Sequence, residues 1–527
     1  MLTGLAVYTP EEIQEDIKDK KPIKIRIALF FDGTMNNRMN IEERELHQLG
    51  KEDKVTAEDY AKFTKNPANS YMNGRTNIAI MEPNVEETAD GYELFYKHYI
   101  AGQGPITYQA DSLWGYAIAI GETGVPGRAE EGIRYAVDSI LNDTTIDRGT
   151  QYIQKLTIDV FGFSRGAATA RYAIHIIFEG RLVVVNNENG SAAYTPDNVA
   201  SELDRFDYVI QQTAVEVGFA GLYDTVLSYI GSQILPGKLA KMLDILKQTA
   251  VQRAKKTLHL AAADEHRADF SLIRIQSAVN SGKGEEYFLP GVHSDIGGSY
   301  NQANEEILKN ETDEDKKIYM RPSSEGSHDD ITTNWLGNVT SNTMVINEGD
   351  SERMKKDRHD LIDQGWYQEH EITYHDVSWT TAENGDRIAT TGMLTVSREN
   401  ISSAYCNIPL KIMAKAARDA SVKLKIDAKL EDIADKILDT AKDPKTGKNE
   451  LKELEAKITD YMASHKNNSE PEHWIDDKAE RNDAALKQIR HKHFHFSASK
   501  LSLGYKPRFE WDDAAWKFRR KRYYYDA

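Results

Sequence analysis

Cysteine is almost missing from these 527 residues, with only Cys406 present. A single thiol excludes an intramolecular disulfide and fits folding in a reducing compartment. Long apolar runs are missing too. None approaches the roughly 18 residues needed to cross a bilayer, so no membrane-spanning helix is expected. The opening stretch MLTGLAVYTPEEIQEDIKDKKPIKI lacks the basic start, apolar centre and small-residue cleavage site of a secretory signal. The expectation is a chain made in the cytoplasm without a signal peptide, any onward journey using a route other than general secretion. Positive charge is in deficit, with 66 Lys and Arg against 83 Asp and Glu and a formal charge of −17. Repulsion on that scale opposes non-specific binding to nucleic acid, and no nucleic-acid partner is expected. Neither an internal repeat nor a long low-complexity tract is found.

What is present is an alternation of strands and helices. IKIRIALFF (Ile23–Phe31) and KLTIDVFGF (Lys155–Phe163) are short, β-branched and aromatic, and each runs into a glycine-bearing turn. The second is followed by SRGAATARYAIHIIFEG, with apolar residues near helical spacing and Gly180 placed to end the helix. Glu216–Asp224, Leu272–Val279 and Glu286–His293 read as further strands, with helical stretches such as AEEGIRYAVDSILND between them. Such alternation predicts an α/β fold with a mostly parallel sheet and helices on both faces. Three regions are expected: a catalytic core over 24–300, a polar loop- and strand-rich insertion over 301–398, and a helical region over 399–527 that packs on the core. The last carries the basic and aromatic run WKFRRKRYYYDA. Aromatic rings beside cations suit a membrane interface, while a solvated tail is the plainer reading.

Chemistry enters at GFSRG, residues 162–166. A G-x-S-x-G match by itself is weak, but here a strand precedes it and an alanine-rich helix follows, the context of a nucleophile elbow in an α/β-hydrolase. Gly162 and Gly166 then relieve the sharp turn, Ser164 is the candidate nucleophile, and the Arg165 backbone N–H at the helix start is a candidate oxyanion donor. The alternative is a helix-capping serine between two glycines. A serine nucleophile needs a base and an acid to orient that base, in the chain order Ser, Asp or Glu, His. Asp224 closes the apolar run GFAGLYD, and His293 follows YFLPGV, both in register with that order.

Asp295 lies too close to His293 along the chain to orient it, and is read as shaping the loop HSDIGG; Asp159, inside the nucleophile strand, reads as structural. His491, His493 and His495 alternate in RHKHFHF as if on one face of a strand. Without neighbouring carboxylates or cysteines they make a weak metal set, and no metal or other cofactor is expected. His495 is the second candidate for the base. The second oxyanion donor is expected from the turn after Ile25–Phe31, at Gly33 and Thr34 in LFFDGTMNN. That turn is not the D-x-D-G-T of aspartate-nucleophile phosphatases, because Phe30 stands where the first aspartate is required.

The segments LFFDGTMNN, DVFGFSRGAATAR, GLYDTV, HLAAADEHRADF and FLPGVHSDIGGSY, with a weaker echo in VSRENISSAYCNIPLKIMAKAA, resemble the GxSxG-type phospholipase effectors of bacterial type VI secretion, whose catalytic domain also occurs in fungi. They stand in the family's order over roughly residues 24–300 and a piece near 400. The resemblance implies an α/β-hydrolase core, hydrolysis of membrane glycerophospholipids, delivery into the periplasm of a rival bacterium, a secretion-spike carrier and a cognate immunity protein. It carries the nucleophile to Ser164, the acid to Asp224 and the base to His293. Tyr223 departs from the tryptophan common before the acid. A serine esterase acting on soluble esters and an inactive partner-binding scaffold are the competing readings.

Overall fold

The computed structural model describes residues 16–525, except 66–68, 113–122, 184–192, 196–197, 228–249, 301–343, 382–386, 399–400, 420–423, 443–445, 467–469, 471–473, 475–482, 497–508, 513–514, 519–521 and 523. The strands that concern the site are β1 (Lys21–Phe31), β2 (Leu94–Ile100), β3 (Gln151–Phe163), β4 (Val215–Tyr223), β5 (Lys256–Ala262), β6 (Leu272–Ile273) and β7 (Gly284–Leu289). Beyond them come β8 (Met344–Asp350), β9 (Ile372–Thr381), β10 (Arg387–Val396) and β11 (Tyr524–Tyr525). The helices that bear on the site and its packing are α1 (Val125–Leu141), α2 (Arg165–Glu179), α3 (His293–Gly297), α4 (Ser351–Asp363), α5 (Asn407–Asp419), α6 (Lys429–Asp439), α7 (Glu450–Ser464) and α8 (Ala484–His493).

Six strands form one sheet in the order β2-β1-β3-β4-β5-β7, parallel throughout. Parallel strands need crossovers, and the crossover helices cover the sheet, so its central strands are apolar on both sides. On β1, Ile25, Ile27, Leu29 and Phe31 face one core, shared with Val125, Ala129 and Ile133 of α1 and with Ala167, Ala170 and Ile174 of α2. Ala28 and Phe30 face the other, shared with Ile408 and Met413 of α5, Ile433 of α6, Leu454 of α7 and Leu486 of α8. The distal helices therefore pack on one face of the sheet.

Asp159, inside β3, takes the Arg26 guanidinium at 2.6 Å and the Phe219 N–H at 2.8 Å, clamping β1, β3 and β4 from within. Both partners of the ion pair are fully buried. The insertion expected over 301–398 is described from Met344 onward, where β8, β10 and β9 form a small antiparallel sheet beside α4. Its first part, 301–343, lies outside the described residues. Leu272–Val279, expected as a strand, is extended only at β6, and Gln276–Asn280 is a short helical turn. His491 and His493 sit on α8, so the strand face expected for the alternating histidines is corrected to a helix, started by the Asp483 side chain accepting from the Ala485 and Leu486 N–H groups.

Candidate active site

The centre of the sheet ends in a tight reversal. Ser164 sits at the tip of β3 with φ +60° and ψ −128°, a conformation that L side chains rarely adopt, and α2 begins at the next residue. A β-carbon on Gly162 would lie 2.4 Å from the Gly166 carbonyl oxygen, and one on Gly166 would lie 2.2 Å from the Asp32 carbonyl oxygen. Both glycines are thus required by the close approach of α2 to its own strand and to β1. The Ser164 N–H donates to Tyr223 O at 3.0 Å, and the Val226 N–H reaches back to Ser164 O, which ties the tip of β3 to the tip of β4.

Asp224 follows β4 at φ +42° and is fully buried. Its backbone N–H donates to Leu260 O of β5, and its Oδ1 accepts the Ala262 N–H at 2.8 Å. Its Oδ2 accepts Nδ1–H of His293 at 2.5 Å. With that proton fixed, the His293 Nε2 is left as the basic nitrogen. His293 opens α3 and is 4% exposed, while Ser164 is 5% exposed. The imidazole is walled by the Phe163 ring, with centroids 4.6 Å apart, and by the edge of Phe270 at 4.9 Å. Burial pulls its pKa below the ordinary histidine value, with Asp224 opposing. Its imidazole therefore favours the neutral form.

Three groups around this pair were not anticipated from sequence. The Arg522 guanidinium reaches Asp224 Oδ1 at 2.6 Å and Oδ2 at 2.9 Å, and both partners are fully buried. Burial alone would raise the Asp224 carboxyl, but Arg522 and then His293 hold it well below the usual carboxylate range. Glu265, also buried, accepts the His293 backbone N–H at 3.2 Å and two donors of Arg267 at 2.9 Å each. Against the penalty of burial, Arg267 brings its pKa down to about 2. Glu265 and Arg267 lie in HLAAADEHRADF, so that segment carried a legible signal. Arg522 lies in the basic and aromatic run, where nothing in the pattern singles out one cation.

The turn after β1 is held by Asp32. Its Oδ1 accepts the Gly33 N–H at 2.7 Å and the Thr76 hydroxyl at 2.6 Å, and its Oδ2 accepts the Tyr99 hydroxyl at 2.5 Å. Burial raises the Asp32 pKa to about 6 despite these donors. The Gly33 amide, expected as an oxyanion donor, is thus committed within the turn. The Thr34 hydroxyl accepts from Arg165 Nε at 2.5 Å, so the turn and the start of α2 are joined. Phe30, where a phosphatase would carry its first aspartate, is stacked on Phe161 in the core at 4.7 Å.

His495, the second candidate base, is brought to Asp295 and not to Asp224. Its Nδ1–H donates to Asp295 Oδ1 at 2.7 Å, its backbone N–H donates to Oδ2 at 3.2 Å, and its ring stacks on Tyr300. Asp295 also accepts the Val292 N–H and so shapes the loop before His293. Among the described residues no group of three or more His, Cys, Asp or Glu side chains could hold a metal ion.

Over residues 26–336 the chain matches the family described as type VI secretion phospholipase effector Tle1-like, catalytic domain. Among solved structures it resembles that of the Tle1 effector bound to the VgrG spike of the type 6 secretion system, at 19% identity and TM-score 0.55, covering 96% of this chain and 94% of that one. At that identity the likeness shows a shared fold. A crystal structure of an uncharacterized protein from Pseudomonas aeruginosa also matches, at 19% identity and TM-score 0.31, over 55% of this chain and 44% of that one. Comparison with curated proteins gave no match.

Proposed function

The chain belongs to the Tle1-like phospholipase effectors of type VI secretion through its catalytic-domain match over residues 26–336, and on that premise we propose that it cleaves acyl esters of glycerophospholipids with Ser164 as nucleophile, His293 as base and Asp224 as the acid that orients the base. The observation that carries this reading is the 2.5 Å contact from His293 Nδ1 to Asp224 Oδ2, beside a serine held at φ +60°.

In this mechanism His293 Nε2 takes the hydroxyl proton as Ser164 Oγ attacks the ester carbonyl. The imidazolium that forms is stabilised by Asp224, which stays ionised. The tetrahedral oxyanion is held by the Arg165 backbone N–H at the start of α2 and by the Thr34 N–H. The His293 proton passes to the departing alcohol oxygen, releasing a lysophospholipid and leaving an acyl ester on Ser164. Water, deprotonated by His293, then frees the fatty acid. This is phospholipase A chemistry, and no metal takes part.

Residues 24–300 are the hydrolase core in this reading, 301–398 an insertion and 399–527 a helical region packed on the core. The solved Tle1 structure is a complex with the VgrG spike; a spike of that kind is the proposed carrier to the target periplasm, with a cognate immunity protein protecting the producer. The test is fatty-acid release from mixed phospholipid vesicles by wild-type protein and by Ser164→Ala, with products resolved by mass. Release of fatty acid and lysolipid that disappears in the variant supports a serine phospholipase A. Phosphonate labelling of Ser164 without release from vesicles points instead to soluble esters.

A further inference from the structure

The geometry points to Arg522 as a positioning residue of the hydrolytic site: it clamps the acid Asp224 and one wall of the base, so that catalysis depends on a side chain 298 residues from the acid in sequence. This rests on the triad reading above. An ionised carboxylate offers about four acceptor positions. On Asp224 four donors use them: the Ala262 N–H and Arg522 Nη1 at Oδ1, and His293 Nδ1 and Arg522 Nη2 at Oδ2. Two of the four come from one planar guanidinium, which fixes the carboxylate against rotation as a point charge cannot. Arg522 Nε also donates to Phe270 O at 2.5 Å, and Phe270 is the ring whose edge meets His293. One side chain therefore sets both the acid and a wall of the base. The segment is seated where Tyr524 and Tyr525 pair in parallel with Leu272 and Ile273.

A purely structural ion pair would affect stability and leave the chemistry alone. Arg522 differs because its cation also sets the charge that His293 feels. The charged groups around the pair are Asp224 and Arg522, with Glu265 and Arg267 of the segment after β5. Removing the guanidinium exposes His293 to the full negative charge of Asp224 and stabilises the imidazolium. The acid limb of the kcat/KM profile then moves to higher pH, because the base must be neutral to act.

The experiment measures kcat, KM and the pH profile of the full-length protein on a dispersed short-chain ester, for wild type, Arg522→Gln, Arg522→Lys and Ser164→Ala, with thermal melts alongside. A misset catalytic group costs on the order of 10²-fold. Arg522→Gln is expected to lose about that much in kcat with KM unchanged and the acid limb raised. Arg522→Lys, which keeps the charge and loses the fork, should keep the wild-type limb with an intermediate kcat. A folded Arg522→Gln with wild-type kcat and acid limb overturns the proposal, as does a loss confined to the melting temperature. Should Arg522→Gln fail to fold, Arg522→Lys decides: wild-type kcat in that variant also overturns it. Hydrolysis surviving in Ser164→Ala would instead sink the triad reading, whatever the Arg522 variants do.

Discussion

Ser164 is kept in an unfavourable backbone conformation by its neighbours on both sides, a cost that recurs at sites where chemistry fixes the geometry. Because the proposed triad acts as a unit, Ser164→Ala and His293→Ala should each lower kcat by about 10⁶-fold, and the double variant should be no worse than either. Additive losses measured on the same ester would contradict a shared mechanism. Asp32 offers a second test. Burial raises its pKa from 3.8 to about 6, so between those values the folded state holds a proton that the unfolded state has released. Its contribution to stability therefore falls as pH rises through that window, by about 3 kcal/mol in all, and is flat above it. Denaturant unfolding of wild type and Asp32→Asn across that window should show this slope in the difference between the two proteins. Asp32→Asn should also lower kcat, since an amide cannot accept from Gly33, Thr76 and Tyr99 together. Ser164, Asp224 and His293 stood out as candidates in the sequence because each ends an apolar run. Asp32 was read only as part of a turn, since its partners Thr76 and Tyr99 lie far along the chain.

The reversal from β3 into α2 is set by proximity: α2 lies so close to β1 that only hydrogen fits at residue 166. Gly166→Ala sets a methyl against fixed backbone, and overpacking of this kind costs typically 1–3 kcal/mol. The expected outcome is that loss in denaturant unfolding together with lost hydrolysis, because the shift needed to admit the methyl moves Ser164. An Ala variant with wild-type activity would mean that the elbow is looser than it looks. Elements with an uninterrupted apolar period were readable: β1, β3, α2, and the stripes on α5, α6 and α7. β2 was missed because LFYKHYI carries Lys97 and His98 at the half-buried edge of the sheet. β5 was missed because His259 interrupts KTLHLAA; in the fold it is buried and paired with Glu286 on neighbouring β7. Glu286 also accepts from Ile275 N–H and Arg274, at the point where the expected strand from Leu272 turns into a helix. No local pattern encodes that long-range carboxylate.

On the scale of the whole molecule, a formal charge of −17 opposes approach to an anionic surface. Salt screens this repulsion, as the Debye length drops from about 10 Å at 0.1 M to about 3 Å at 1 M. Initial rates on vesicles rich in anionic lipid should therefore rise with added salt, while rates on zwitterionic vesicles change little. A fall on both would show that a local basic patch governs docking. The run WKFRRKRYYYDA was the place to look for such a patch, and the cation described within it, Arg522, is buried against Asp224. The joining of residues 298 apart has a consequence in time. Translation is vectorial: Ser164, Asp224 and His293 all leave the ribosome well before the guanidinium that clamps Asp224. A half-made chain would therefore hold Ser164, Asp224 and His293 with the Asp224 carboxylate still unclamped.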